Sequence, residues 1–139
     1  MKRMMVTLVV LFVVGIAIGV VDHQCLSAGE APVKVTEISK TKLAGSPGKE
    51  GSLFLVEIAP GAAVGKHYHP GDAFGYILEG TMTLVVAGKP PVTLKAGESG
   101  HVAPKQVHDD QNASTTAPVK LLVFHVAKPG QPMAVPVKK

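Results

Sequence analysis

The chain has 139 residues and a formal charge of +4, from 14 Lys plus Arg against 10 Asp plus Glu. Its lysines are mostly scattered singly, no Arg follows Arg3, and it has two Tyr, four Phe and no Trp. The clustered cations and stacking platforms of a nucleic-acid-binding protein are therefore missing. The single cysteine, Cys25, excludes an intrachain disulfide, but one domain of this length can build a core without one.

The first predicted element is a signal peptide or N-terminal membrane anchor over residues 1–28. Lys2 and Arg3 precede an uncharged run over residues 4–21, and Ala28 offers a cleavage point. The run is longer than the ~7–15 residues of a typical signal core and close to the ~18 of a membrane span. Both a cleaved signal and a retained anchor stay open. Either way, we expect the remainder to be periplasmic or secreted, touching a membrane only through this segment.

Beyond this leader, short runs rich in β-branched residues are separated by Gly and Pro turn signals at intervals of about eight to twelve residues. Helical periodicity with caps is missing from the sequence after the leader. The pattern predicts an all-β barrel or sandwich over residues 33–128. It also predicts a proline-containing C-terminal tail over residues 129–139, either strapped along the barrel or loose.

His67 and His69 occupy alternate positions of one predicted strand. Alternate residues project from the same face, so both imidazoles point one way and Tyr68 points the other. A slip of one residue in strand register would turn both histidines outward.

A third histidine, His108, follows the turn at Gly97, and we expect its strand to return antiparallel beside the first pair. Asp110 and Asn112 share its face if that strand is regular. Three imidazoles that converge inside a small barrel are a ligand set suited to a transition metal.

Residues 61–112 resemble the two sequence motifs of the cupin superfamily. The matching positions are Gly61, His67, His69 and Gly80 in the first motif, and Gly97, His108 and Asn112 in the second. The resemblance implies a single small jelly-roll β-barrel and a divalent transition metal (Fe, Mn, Ni, Cu or Zn) on the three histidines. It also implies a small-molecule ligand or substrate, and related proteins frequently form homodimers.

The chain departs from this pattern at the position of the metal-binding glutamate, which is occupied by Ala73. Asp72 is adjacent and is a further candidate, but strand parity should turn it away from the imidazoles unless a bulge intervenes. Asp110, Asp109 and His125 are candidates for an additional ligand or for a partner that orients an imidazole N–H. A histidine placed like His125 more often packs near the barrel rim.

Two smaller expectations concern the second motif. The glycine of the motif's Pro-x-Gly part falls on Lys105, and we expect this change only to adjust a turn. His101 is expected on the surface.

Two classes of function follow from these residues. The first is an extracytoplasmic metal-dependent enzyme, oxygenase-like or isomerase-like, acting on a small molecule at the three-histidine site. The second is a non-catalytic barrel that binds a small molecule or a metal. A metal-free oligomeric barrel is a further alternative. The sequence identifies no catalytic residue beyond the candidate ligands.

Overall fold

The structure is a computed structural model that describes residues 31–138, so the predicted signal or anchor over residues 1–28 lies outside the described residues. This part of the chain forms ten β-strands. In chain order they are β1 Val33–Lys42, β2 Glu50–Ile58, β3 His67–Tyr68, β4 Asp72–Glu79, β5 Thr81–Val86, β6 Val92–Lys95, β7 Ser99–Val102, β8 His108–Gln111, β9 Val119–Ala127 and β10 Val135–Pro136. Between residues 31 and 138, no helix has the length and apolar character needed to cross a membrane.

The strands form two five-stranded antiparallel sheets. One sheet has the order β1-β2-β9-β4-β7, and the other has the order β10-β3-β8-β5-β6. From β2 to β10, consecutive strands of the chain lie in opposite sheets except in the β5–β6 hairpin, as in a double-stranded β-helix. The all-β jelly-roll prediction is confirmed.

The core lies between the inner faces of the two sheets. Along β2, β5 and β9 every second residue is buried, which is the period of two expected of a strand with one face covered. The inward apolar residues of these three strands are Phe54, Val56, Ile58, Met82, Leu84, Val86, Val119, Leu121, Val123 and Ala127.

Asn112, the last residue of the second motif, ties the end of β8 to two neighbouring segments. Its side chain is 2% exposed. Its amide nitrogen donates to the backbone carbonyls of Ile58, Ala59 and Ala117, and its Oδ1 accepts from the amide of Ser114. The residue therefore holds the barrel together and is not aimed at a ligand.

Two backbone positions explain other features of the motifs. Gly80 has a φ of 81°, and a Cβ there would collide with the carbonyl oxygen of Pro118, so the turn after β4 requires glycine. Lys105 has a φ of 62° and stands where the family pattern has glycine. It keeps this left-handed conformation while its amide donates to the carbonyl of His69 at 2.8 Å.

Part of the tail predicted over residues 129–139 lies along the barrel, in the segment 135–137. β10 pairs with β3, with Val135 opposite Tyr68 and Pro136 opposite His67. The amide of Val137 donates to the carbonyl of Lys66 at 2.9 Å. β3 is only two residues long. Because β10 pairs with one side of it and β8 with the other, β3 lies inside the sheet instead of at its edge.

Candidate metal centre

The three sequence-predicted histidines come together at one end of the barrel interior. His67 lies on β3 directly opposite His108 on β8, and His69 follows one residue after β3. Their exposed fractions are 5%, 4% and 2% for His67, His69 and His108. One ring nitrogen from each lies within 4.8 Å of the others.

A backbone carbonyl holds the Nδ1 atom of each ring. The Nδ1–oxygen distances are 2.7 Å from His67 to Gly65, 2.6 Å from His69 to Met133 and 3.1 Å from His108 to Gln106. A carbonyl oxygen can only accept, so each Nδ1 carries the proton and donates it. In a neutral imidazole the free lone pair is then on Nε2, which is the atom left to bind a metal.

Burial favours the neutral form of His69 and His108. It lowers the pKa of His69 from 6.5 to about 4, and the neighbouring rings of His108, His67 and His125 act in the same direction, against the bond to Met133. Burial also lowers the pKa of His108, with His67 adding to the effect. Neutral imidazole is the form that ligates a metal.

Asp110 brings a carboxylate to the same place. Its Oδ2 lies 4.0 Å from Nε2 of His108, and its side chain is 16% exposed. Burial raises the pKa of this carboxyl from 3.8 to about 6. The two oxygens of this carboxyl group accept no hydrogen bond from any residue between 31 and 138. Three imidazole lone pairs and one carboxylate thus share one site. Among the described residues, no side chain donates a hydrogen bond from one of these groups to another. A cluster of acceptors of this kind favours a cation.

This donor set fits the group that the motifs imply. Imidazole nitrogens with a nearby carboxylate suit Zn, Cu, Fe or Ni. The carbonyl behind each ring supplies the outer support that metal-ligating histidines normally have.

The other candidate carboxylates point elsewhere. Asp72 accepts from Nε2 of His101 at 2.9 Å, on the outer face where strand parity predicted it, and His101 is exposed. Asp109 accepts from the Gly65 amide at 2.8 Å and from the Gln111 side chain at 2.9 Å. Neither carboxylate is directed at the three rings, whereas Asp110 is, because it shares the inward face of β8 with His108.

Ala73 and His125 face each other across β4 and β9. Ala73 is buried, so the position of the missing glutamate is directed into the barrel. His125 is 3% exposed, because it shares the inward face of β9 with Val123. Its ring centroid is 5.7 Å from that of His69, and its Nε2 accepts from the Gly71 amide at 3.3 Å. It stays outside the group of converging nitrogens.

Sequence reasoning missed the three carbonyls. Gly65 and Gln106 each stand two residues before their histidine, so a local spacing could have suggested them. Met133 is 64 residues from His69, and a backbone carbonyl carries no residue-type signal, so nothing in the sequence pointed to it.

The chain belongs to the cupin family: the family model described as "Cupin domain" matches residues 54–125, which is more than half of the chain. The match contains all three clustered histidines. A comparison with curated proteins found no match.

Solved structures share the fold at low identity. A cupin-like protein from Thermotoga maritima is 21% identical with a TM-score of 0.61, covering 77% of each chain. An oxalate oxidase in complex with glycolate is 24% identical, with a TM-score of 0.58, over 76% of this chain and 55% of that one. A DMSP lyase from Ruegeria pomeroyi is 21% identical, with a TM-score of 0.56, over 63% of this chain and 43% of that one. The chain thus spans about half of the length of each of these two enzymes.

The lowered pKa of His69 predicts acid-sensitive stability in metal-free protein. Between pH 6.5 and about 4 the unfolded chain binds a proton at His69 that the folded chain does not, so the free energy of unfolding falls as pH falls through this window. The contribution is at most about 3 kcal/mol. Urea unfolding of chelator-treated protein at pH 7 and pH 4.5 measures it.

The comparison between variants isolates this effect, because Asp110, with its raised pKa, changes stability in the opposite sense over the same range. His69→Asn should lose less stability than wild type on acidification. Equal losses in His69→Asn and wild type would contradict the prediction.

Proposed function

We propose that this cupin binds one divalent transition metal (Fe, Mn, Ni, Cu or Zn) through Nε2 of His67, His69 and His108, and acts there on a small molecule. The observation that carries the proposal is the set of three buried imidazoles, each with its Nδ1–H held by a carbonyl. When bound, the metal would supply Lewis-acid or redox chemistry, of the oxygenase-like or isomerase-like kind.

Asp110 would supply negative charge that three neutral histidines lack. Its carboxylate lies within reach of the same region, 4.0 Å from His108 Nε2. Placed on β8, it partly compensates for the carboxylate lost at Ala73 on β4. With an aliphatic side chain at position 73, an added anionic ligand has room to approach from that side.

A small internal cavity adjoins this region and supports a small ligand. Its volume is about 30 Å³. By the same measure a cavity needs about 10–15 Å³ to hold one water molecule, so this one has room for about two or three water-sized groups. His69 and Asp110 are the polar residues of its wall, and the others are Ala73, Gly75, Met82, Leu84, Leu94, Gly100, Val102, Leu121 and Val123. A ligand of two or three heavy atoms, or one end of a longer molecule, fits this space.

The similar structures support the same class of chemistry without assigning it. One is an oxidase named for oxalate, and another is a lyase named for DMSP. Both act on small molecules.

A non-catalytic binding barrel is the second candidate. The observation that favours it is the cavity wall, in which Asp110 and His69 are the only titratable residues. Turnover of a small molecule by metal-loaded protein would separate the two.

We also propose that the protein works outside the cytoplasm, in the periplasm, secreted or anchored. This rests on residues 1–28 alone.

The first test is metal binding by full-length protein purified without a metal-affinity tag. We expect about one ion per chain by elemental analysis. His67→Ala removes a ligand, so metal affinity should fall by more than the ~100-fold that loss of an outer partner can cost. The matched control is His101→Ala at an exposed histidine, which should keep wild-type affinity. Circular dichroism of metal-free protein checks that each variant folds. A folded His67→Ala with undiminished affinity would exclude the assignment.

The second test fills the cavity with Gly75→Ala. The added Cβ would lie 3.6 Å from Cδ1 of Leu121, an ordinary contact, so the fold should tolerate it. Azide binding to Co(II)-loaded protein, followed by visible absorption, should weaken at least tenfold while Co(II) affinity stays unchanged. Gly45→Ala, where an added Cβ meets nothing within 4 Å, is the control. Unaltered azide binding in Gly75→Ala would place the ligand elsewhere.

A homodimer is a further part of the proposal. Nine of the ten residues of β1 are exposed, and β1 ends its sheet, so it presents unpaired backbone groups that a second copy could use. Phe74, Tyr76 and Phe124 are 49%, 47% and 40% exposed on the outer face of the same sheet. Contiguous apolar surface of this kind is typical of an interface.

Light scattering coupled to size exclusion tests the dimer. The native protein should elute with twice the chain mass, and Tyr76→Lys should shift it to the monomer. Val92→Lys is the control, because Val92 is 51% exposed on the other sheet. A native monomer at micromolar concentration, or a dimer unaffected by Tyr76→Lys, would count against this interface.

A further inference from the structure

The C-terminal segment 133–137 contacts the metal centre at three points. The carbonyl of Met133 accepts from Nδ1 of His69 at 2.6 Å. Pro136 lies opposite His67 in the β10–β3 pair. The amide of Val137 donates to the carbonyl just before His67, that of Lys66. Two of the three candidate ligands are therefore held by residues at the far end of the chain.

The segment is needed because β3 has little other support. β3 contains two residues, and its pairing with β8 consists of the single pair His67 and His108. Without β10, it would be an edge strand two residues long, carrying a ligand and leading directly into another. A strand that short is fixed mainly by what lies on each side of it.

His69 depends on the segment for its ring orientation as well. His67 and His108 donate to carbonyls two residues earlier in the chain, which their own local backbone supplies. His69 has no such local partner, since its Nδ1 bonds to Met133, 64 residues away. Removal of that carbonyl would free the ring to rotate and to exchange its tautomer.

We propose that residues 133–137 are a positioning element of the metal centre, in which the Met133 carbonyl sets the tautomer and direction of His69. This inference rests on the proposed metal binding, but its first readout does not. In metal-free protein, His69 should be protonated at Nδ1 because of this bond alone.

The experiment compares two variants of the full-length chain. The first ends at Pro132 and lacks the carbonyl and β10. The second is Met133→Ala, which removes a side chain packed against the core but keeps the carbonyl. A chain ending at Val137 is the control for loss of the terminal lysines.

Nitrogen-15 NMR of the histidine rings in metal-free protein is the first measurement. The chain ending at Pro132 should lose the Nδ1–H signal of His69, while Met133→Ala and the chain ending at Val137 keep it. Retention of that signal in the shortened chain would overturn the proposal.

Zn(II) affinity by chelator competition is the second measurement. It should fall about 10- to 100-fold in the chain ending at Pro132, the range for loss of an outer partner of a ligand. It should stay within about threefold of wild type in Met133→Ala. An equal loss in both would mean that packing, not the carbonyl, matters.

If the chain ending at Pro132 does not fold, semisynthesis with a trans alkene in place of the Met133–Ala134 peptide bond removes the carbonyl and keeps β10. The same losses are expected there, and wild-type affinity and tautomer would contradict the proposal. If the wild-type chain binds no metal, the proposed function fails, whereas the tautomer result still decides the role of Met133.

Discussion

Three hydrogen bonds from imidazole Nδ1 atoms to backbone carbonyls are the constraint on which the candidate site depends. A histidine in water can carry its proton on either nitrogen and turn its ring freely. Here Gly65, Gln106 and Met133 accept from the three rings, so each ring is fixed with its lone pair on Nε2. The backbone thereby decides which ring nitrogens face each other.

The same arrangement creates an electrostatic imbalance that a cation would relieve. Burial lowers the pKa of His69 and His108 and raises that of Asp110. The site therefore disfavours both a protonated imidazole and an unpaired carboxylate. A metal ion reverses this, because it bonds to neutral imidazoles and attracts the carboxylate. If the proposed metal is bound, alanine at position 73 would leave this compensation incomplete, and an additional anion would be attracted to the site.

Period-two patterning and motif spacing were sufficient to predict the barrel and the convergence of His67, His69 and His108. Parity along β8 also predicted that Asp110 shares the face of His108. These inferences depend on neighbours in the chain and on a register set by burial. The same parity along β9 allowed His125 to face inward with Val123, but parity alone could not show that its ring stays outside the cluster. The Met133 contact could not be predicted from the sequence, because it joins a main-chain carbonyl to a side chain 64 residues away.

The most direct test of the central claim is the protonation pattern of the three rings in metal-free, full-length protein at pH 7, read from long-range nitrogen-15 to proton correlations. We expect His67, His69 and His108 each to show a proton on Nδ1 and none on Nε2, with all three Nε2 signals shifting together when Zn(II) is added. A proton on Nε2 of any of these rings before Zn(II) addition, or shifts confined to one ring, would contradict the account.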